Sequence, residues 1–302
     1  MELTEIKSEP YKNFDYKMYL FLNPDVVPNI SLNDVDCEEI KLKAWYHWIN
    51  HGIYEERPTE VLNNTKTHNG RFGNLFFINM ACHFISLKFN LLFDYKYKEK
   101  FERIGIYFYK GTSKFNNFIE LTDNNFMEII YFGKINGNLL INNNMWCQSS
   151  EFVHLIKLYW SQPFHKHMIM KHNLFKERYD KNNDLFIHVR LGDLENQNKH
   201  LEHYYINTLS KISWNEGYIS SDSIYHSLCQ LLIHKFNLKV VEKSEEETLM
   251  FGSTCNNIIL SGGTFSWLIG FFAFFSENIY YPYIESPWYG RIFEDMSWKV
   301  IN

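Results

Sequence analysis

The chain has 302 residues, of which 45% are apolar and 22% are charged, and its formal net charge is −5. This length and composition are ordinary for a globular protein and leave room for two domains, each with its own core. The acidic balance provides no basic stripe of the kind that binds nucleic acid, so no nucleic-acid partner is expected.

Cysteine usage and hydropathy indicate where the protein works. Its five cysteines are widely spaced and include no Cys-x-x-Cys pair, which is typical of a reducing compartment. The sequence shows neither a signal peptide nor an apolar run near the ~20 residues that a membrane-spanning helix needs. We therefore expect a cytoplasmic protein with no integral membrane segment.

Residues 1–60 are predicted to form a small helical unit. Apolar residues recur with helical spacing over Tyr16–Val26, where the sequence Asn-Pro-Asp at positions 23–25 interrupts them. A second apolar helix face is expected over Ile40–Ile49. Asp34 and Asp36, at the expected start of that helix, are interpreted as capping residues.

Residues 61–165 are predicted to form a first α/β half. The predicted strands are short apolar runs at Leu91–Tyr95, Ile104–Tyr109, Glu128–Phe132 and Leu139–Asn142. The predicted helices run from about Asn74 to Leu87 and over Ser149–Trp160. A loop precedes the first helix, and it contains Gly70, Arg71, Gly73 and Asn74. Its glycines allow a tight turn, and its asparagine is a favourable N-cap.

Residues 166–302 are predicted to form a second α/β half with a parallel sheet, because strands and helices alternate regularly. The predicted strands are Leu185–Leu191, Tyr218–Ser220, Lys239–Val241, Asn257–Leu260 and Asn278–Tyr281. The predicted helices are Glu202–Ser210, Ser223–Phe236, Glu245–Gly252 and Phe265–Phe275.

The end of the strand Leu185–Leu191 carries the most informative motif. His188 and Arg190 are two residues apart and share one face of the strand, near the carboxyl edge where open α/β sheets bind ligands. A guanidinium suits a phosphate because its planar fork gives two parallel hydrogen bonds, and Gly192 lets a ligand approach the backbone. A structural strand end, with Arg190 and Asp193 as a surface pair, accounts for these residues equally well.

A second strand end also suits a phosphate. The apolar run that ends at Leu260 is followed by Ser261, Gly262, Gly263, Thr264, Phe265 and Ser266. Small residues between a strand and a helix let backbone N–H groups converge at the helix N-terminus, where the dipole favours an anion. A capped core helix is the alternative, but two such strand ends in one half favour a ligand site.

Taken in chain order, the segments Gly70–Leu75, His188–Asp193 and Gly262–Trp267 resemble three motifs of the α-1,2-fucosyltransferase family. The family's counterparts are a Gly-Gly-Leu-Gly-Asn-Gln loop, a His-Val-Arg-Arg-Gly-Asp strand end and an Asn-Ser-Ser-Phe-Ser-Trp segment. The chain departs from them at Leu191, where the family has a second arginine. The Asn-Pro-Asp-Val sequence at residues 23–26 similarly resembles a short module found beside glycosyltransferase domains.

The resemblance implies a GT-B-like α/β fold, in which two Rossmann-like halves follow the helical unit. The half at 61–165 would hold the acceptor, and the half at 166–302 would bind the nucleotide sugar. The segment Trp288–Trp298 is expected to cross back over the first half. The implied reaction is inverting transfer of fucose from GDP-fucose to a hydroxyl of a glycan or glycoconjugate, with no further cofactor. Animal members carry a membrane anchor, so its absence here favours a protein of bacterial or viral type.

The expected roles follow from the resemblance and from residue chemistry. The predicted catalytic residues are Arg190, Asp193 and His188, with Arg190 on the leaving diphosphate and Asp193 as the first choice of general base. The alternative bases are Glu195, Glu202 and His203. The predicted donor-binding residues are Arg190, Gly192, Asp222, Ser261, Gly262, Gly263, Thr264, Phe265 and Ser266, and the loop contributes Gly70, Arg71, Gly73 and Asn74.

Asp222 is expected to accept two hydrogen bonds from guanine. No metal site is predicted, because the one Asp-x-Asp pair, at Asp34 and Asp36, lies in the helical unit. Two other functions fit the sequence: transfer from a different nucleotide sugar, or carbohydrate binding by a decayed transferase. The chain departs from the family at Leu75, Leu191 and Ser223, where the family has a glutamine, an arginine and an aspartate, and these departures favour the second of these. A dinucleotide-dependent oxidoreductase is not favoured, since no strand leads into Gly-x-Gly-x-x-Gly.

Overall fold

The computed structural model describes residues 9–29, 37–55, 57, 59, 63–115, 117–192, 201–285, 290–294 and 296–301. These residues form a mixed α/β structure with one parallel sheet in each half of the chain, after a helical unit. The predicted fold class is confirmed in these features. None of the described helices has the length and apolarity that crossing a membrane would require.

The second half is built on a six-stranded parallel sheet. Its strands are β3 (Leu185–Val189), β4 (Gly217–Ser221), β5 (Lys239–Val240), β6 (Asn257–Ile259), β7 (Asn278–Pro282) and β8 (Lys299–Ile301). They lie in the order β5-β4-β3-β6-β7-β8, which is the strand order of a Rossmann fold. All five residues of β3 are buried, as expected for a central parallel strand covered on both faces. The order reverses between β3 and β6, and the carboxyl ends of these two strands define a ligand crevice.

The helices of the second half begin at that same edge. They are α9 (Leu201–Leu209), α10 (Ser227–Phe236), α11 (Glu245–Gly252) and α12 (Thr264–Phe271). α11 starts with a capping box between Ser244 and Glu247. α12 starts after Gly263, whose φ of 107° and ψ of 160° belong to a region open only to glycine. The helices predicted at Ser223–Phe236 and Phe265–Phe275 are shorter in the structure. Turns occupy the residues that were expected to begin the first helix and to end the second.

The first half has more helix and less strand than the sequence suggests. Its elements are α4 (Phe72–Phe89), α5 (Lys98–Arg103), β1 (Phe118–Leu121), α6 (Phe126–Tyr131), β2 (Asn138–Ile141), α7 (Ser150–Trp160), α8 (Pro163–His172) and a 3-10 turn (Lys176–Arg178). β1 and β2 are parallel neighbours. Only Leu139–Asn142 among the four strands predicted there corresponds to a strand.

The other three strand predictions are wrong for identifiable reasons. Glu128–Phe132 falls mostly within α6, where Phe126 and Ile130 lie four residues apart and both pack into the core. Leu91–Tyr95 forms only isolated bridges, and Ile104–Tyr109 forms no strand. Phe93, Tyr95 and Phe108 in these two segments are buried in one stack of rings. The sequence therefore has the apolar pattern of a strand, although the backbone forms no strand ladder.

The helical unit consists of α1 (Glu9–Lys12), α2 (Tyr16–Leu22), a 3-10 turn (Val27–Asn29), α3 (Cys37–His47) and a π-helical turn (Trp48–Gly52). Asn23 and Asp25 of the Asn-Pro-Asp-Val sequence make contacts within the helical unit. Asn23 donates from its backbone and its side chain to Tyr19 O, and Asp25 pairs with Arg57 at 2.8 Å. The Tyr19 hydroxyl contacts His47 Nδ1 at 2.8 Å. Asp34 and Asp36 lie outside the described residues.

One hydrophobic core extends through both halves, and α4 runs between them. Gly73 lies in the first turn of α4, where a Cβ would come within 2.5 Å of Phe265 N and 2.7 Å of Thr264 C. Only glycine therefore lets α4 approach the start of α12. The expected crossing of the C-terminal tail is seen in its described part, since Ser150 donates to Arg291 O and Gly290 packs on Gln148 O.

Gly73→Ala is predicted to destabilise the fold by about 1–3 kcal/mol, because the added methyl meets backbone atoms that cannot rotate away. Urea unfolding of the two proteins measures the difference. Gly70→Ala is the matched control, since a Cβ there meets a side-chain atom, His68 Nδ1, at 3.1 Å. Equal losses in the two variants would contradict the close approach of α4 and α12.

Candidate active site

A cavity of about 540 Å³ opens where the strand order reverses, at the carboxyl ends of β3 and β6. Six separate segments of the chain line it. The described lining residues are Asn69, Gly70, Arg71, Phe72, Gly73, Asn74, Trp146, His188, Arg190, Ser220, Ser221, Asp222, Lys243, Glu245, Thr248, Gly262, Gly263, Thr264, Phe265 and Ser266. The loop before α4, the end of β3 and the turn before α12, which the sequence singled out, thus meet in one place.

His188 is a buried, neutral hydrogen-bonding residue. Its Nδ1 lies 2.5 Å from Ser266 Oγ and 3.2 Å from Ser261 Oγ. Burial, and then the positive charge of Arg190, lower the pKa of its imidazole to about 3. At neutral pH His188 is therefore an uncharged imidazole rather than an acidic imidazolium, and its contacts organise the turn before α12.

Arg190 is held in place by Asp222. Its Nη1 donates to Asp222 Oδ2, and the other carboxylate oxygen accepts Leu191 N–H at 3.0 Å. Both carboxylate oxygens thus have a protein partner, and the contact of Asp222 with guanine stays a prediction. Gly192, with φ of 21°, leaves room for this carboxylate, since a Cβ there would lie 2.5 Å from Asp222 Oδ2. The glycine accommodates the ion pair.

The turn between β6 and α12 is closed by its own side chains. Ser261 Oγ and Ser266 Oγ lie 2.7 Å apart, and Ser266 Oγ also accepts Ser261 N–H at 3.2 Å. These two hydroxyls are therefore engaged within the turn and with His188. The first intrahelical donor is Trp267 N–H, to Gly263 O at 3.1 Å. The turn presents the positive end of α12 to the cavity, without needing its serine side chains for a ligand.

The start of α4 supplies the opposite wall. Arg71 occupies the N-cap position in an extended conformation, and its side chain makes no capping hydrogen bond. Asn74 accepts hydrogen bonds from Thr264 Oγ1 at 2.7 Å and from Gln148 Nε2 at 3.1 Å, so it joins the two halves instead of capping its own helix. The positive ends of α4 and α12 consequently face the same cavity, an arrangement that favours an anion.

The charged side chains of the cavity agree with that preference. Its cations are Arg71, Arg190 and Lys243, and its described carboxylates are Asp222 and Glu245. Each carboxylate is already paired, Asp222 with Arg190 and Glu245 with Lys100 at 2.9 Å. Among the described residues, no group of three or more His, Cys, Asp or Glu side chains is arranged to hold a metal ion.

Some predicted residues lie elsewhere, and some lining residues were not predicted. Asp193 and Glu195 are outside the described residues. Glu202 and His203 are exposed on α9 and do not line the cavity. The lining residues that sequence reasoning missed are Asn69, Phe72, Trp146, Ser220, Ser221, Lys243, Glu245 and Thr248. Lys243 carried a usable signal, since it follows β5 at the carboxyl edge of the predicted sheet.

Comparison with known proteins gives distant structural similarities. No family model matches the chain, and no curated protein does. The fucosyltransferase NodZ from Bradyrhizobium is similar in two crystal structures, at 12% identity. One covers 75% of this chain and 95% of NodZ with a TM-score of 0.47, and the other covers 72% and 93% with a TM-score of 0.45. NodZ α-1,6-fucosyltransferase soaked with GDP-fucose is also 12% identical, over 72% of this chain and 92% of that one, with a TM-score of 0.43.

The free energy of unfolding is predicted to fall as the pH drops below about 6.5. Burial lowers the pKa of His188 to about 3 and that of His83 to about 4, so the unfolded chain binds these protons first. Their contribution is complete above the unfolded pKa of about 6.5 and is lost as the pH falls towards the folded values. Urea unfolding at pH 5 to 8 measures the slope.

His188→Asn should reduce that slope near pH 5 by about one proton, or ~1.4 kcal/mol per pH unit. His203→Gln is the control, because that side chain is exposed on α9. An unchanged slope in His188→Asn would contradict a buried neutral imidazole.

Proposed function

We propose that the protein is a glycosyltransferase that transfers a sugar from a nucleotide diphosphate donor, fucose from GDP-fucose, to a hydroxyl group of a glycan. One observation carries the proposal: Arg190, fixed by Asp222, lies in a cavity at the switch point of a Rossmann-ordered sheet. The positive ends of two helices, α4 and α12, flank the same cavity. This arrangement suits a diphosphate better than a neutral ligand.

The chemistry requires stabilisation of the negative charge that builds on the leaving diphosphate. Arg190 supplies a guanidinium that stays charged at any physiological pH, and the start of α12 supplies oriented backbone dipoles. Because Asp222 fixes the guanidinium before a ligand arrives, little reorganisation is needed when the bond to the sugar breaks. The acceptor hydroxyl attacks from the opposite side of the anomeric carbon, with inversion.

The general base is proposed to be Asp193, three residues beyond Arg190 in sequence. The described carboxylates of the cavity are less suitable, since Asp222 and Glu245 are each paired with a cation. His188 is unsuitable for a different reason, because its lowered pKa of about 3 makes it a weak proton acceptor. Glu195 is the alternative base.

The choice of guanine rests on the resemblance of the motifs to α-1,2-fucosyltransferases. Asp222 already accepts hydrogen bonds from Arg190 and Leu191 N–H, so a contact with guanine would use its remaining lone pairs. A glycosyltransferase that uses another nucleotide sugar is therefore the second candidate. The same cavity would hold either diphosphate.

The test is binding and turnover with a panel of nucleotides. GDP is predicted to bind the wild-type protein more tightly than UDP in calorimetry, and GDP-fucose is predicted to be hydrolysed slowly without acceptor. Arg190→Ala should lower turnover by about 10²–10³, because it removes a group that stabilises developing charge. Arg190→Lys should not restore it, since a point charge lacks the planar fork.

The outcomes separate the candidates. Preference for UDP would favour another nucleotide sugar, whereas binding without any turnover would favour a decayed transferase that only binds. An Arg190→Ala protein that unfolds at the wild-type urea concentration and still turns over normally would contradict the role of Arg190.

Turnover is also predicted to persist in excess EDTA. The reason is that Arg190 and the helix N-termini already provide positive charge for the diphosphate, and no metal-ligating cluster exists among the described residues. Loss of turnover on chelation, with recovery on adding Mn²⁺ or Mg²⁺, would show that these groups are not sufficient.

A further inference from the structure

Trp146 is an aromatic residue of the first half that lines the cavity. It follows β2, and its neighbours Met145 and Cys147 are buried, with exposed fractions of 1% and 0%. Trp146 itself is partly exposed and lines the cavity. A large aromatic side chain on the wall of a polar, charged cavity is costly to leave against water, and its position calls for an explanation.

The backbone at Trp146 is held in a specific conformation. Asp123 accepts the Trp146 N–H at 3.0 and 3.1 Å on its two oxygens, and the Cys147 N–H at 2.7 Å. Cys147 has φ of 55°, a left-handed conformation that is unfavourable for a residue with a Cβ. The charged hydrogen bonds to Asp123 hold the backbone in this conformation, and they thereby fix the position from which the indole extends.

The indole is also fixed at one edge. Its ring meets the ring of His68 at 5.0 Å and 88°. His68 is immobilised in turn, because its Nδ1 accepts Gly70 N–H and its Nε2 contacts Met145 O, both at 3.0 Å. Among the described residues, no acceptor lies within hydrogen-bond distance of the indole N–H. The contact with His68 thus restrains the indole ring, and the indole N–H is available to a ligand.

We propose that Trp146 is a platform for the apolar face of a pyranose, with its indole N–H directed to a sugar hydroxyl. The proposal rests on the proposed glycosyl transfer and adds a residue that recognises the sugar. A nucleobase is the less suitable occupant, because the Rossmann-ordered sheet binds nucleotides at its own carboxyl edge, whereas Trp146 follows the sheet of the other half. The sugar belongs either to the donor or to the acceptor.

Three variants test the platform: Trp146→Ala, Trp146→Phe and Asp123→Asn. Trp146→Ala should bind GDP within about twofold of wild type, while a sugar-dependent quantity worsens about five- to tenfold, the size expected for loss of one aromatic contact. A higher acceptor KM at unchanged kcat assigns the platform to the acceptor. Weaker binding of GDP-fucose, with GDP unchanged, assigns it to the donor sugar.

The other variants separate recognition from folding. Trp146→Phe should recover part of the effect, because an aromatic face remains, although it is smaller than the indole and has no N–H. Asp123→Asn should shift the same KM or affinity in the same direction by a smaller factor, since Asp123 acts by positioning Trp146. Phe132→Ala is the matched control, an exposed aromatic of the first half that does not line the cavity, and it should change none of these quantities.

Two results overturn the platform: equal losses of GDP and GDP-fucose affinity in Trp146→Ala, which mean contact with the nucleotide, or no change in any quantity. Failure of the proposed function looks different, because the wild-type protein would then bind and turn over no nucleotide sugar.

Discussion

The close contact between the starts of α4 and α12 is the constraint on which the cavity depends. Gly73 permits it, because any Cβ there would overlap the backbone of Thr264 and Phe265. Asn74 then accepts a hydrogen bond from Thr264 across the contact. The consequence is electrostatic as well as steric: the positive ends of two helices from different halves of the chain point into one space, which neither half could create alone.

Behind that contact the two halves share a core. Trp267, fully buried on α12, packs against Phe77 of α4 at 5.0 Å, and its indole N–H donates to Ile292 O at 2.8 Å. Separating the halves would expose these aromatic faces to water, at a cost that scales with the apolar area. Domains joined by a large apolar interface move little against each other. The shared core therefore holds the walls of the cavity together.

The second half could be predicted from sequence because its physical causes are local. Parallel strands covered on both faces are continuous apolar runs, and the residues after them must lie at one edge, as Arg190 and Gly262 do. The two helices predicted in the first half are present, but most of its predicted strands are not, because side chains replace part of its backbone ladder: Asn63 Oδ1 accepts Leu139 N–H and its Nδ2 donates to Asn138 Oδ1. Trp146 was missed since only tertiary packing brings it to the cavity.

The site's charge balance explains why a histidine beside Arg190 is useful in its neutral form. A second cation so close would repel the guanidinium and would vary with pH. Burial prevents this, because it lowers the pKa of the His188 imidazole to about 3. The Nδ1 of the neutral ring instead makes hydrogen-bond contacts with Ser261 and Ser266. Positive charge near β3 then comes from Arg190 and from helix ends, neither of which titrates near neutral pH. Asp222 orients that charge, because it bonds both the guanidinium and Leu191 N–H. His188, which hydrogen-bonds the turn before α12, and Arg190, which carries the positive charge, thus have separate roles, although both lie at the carboxyl end of β3.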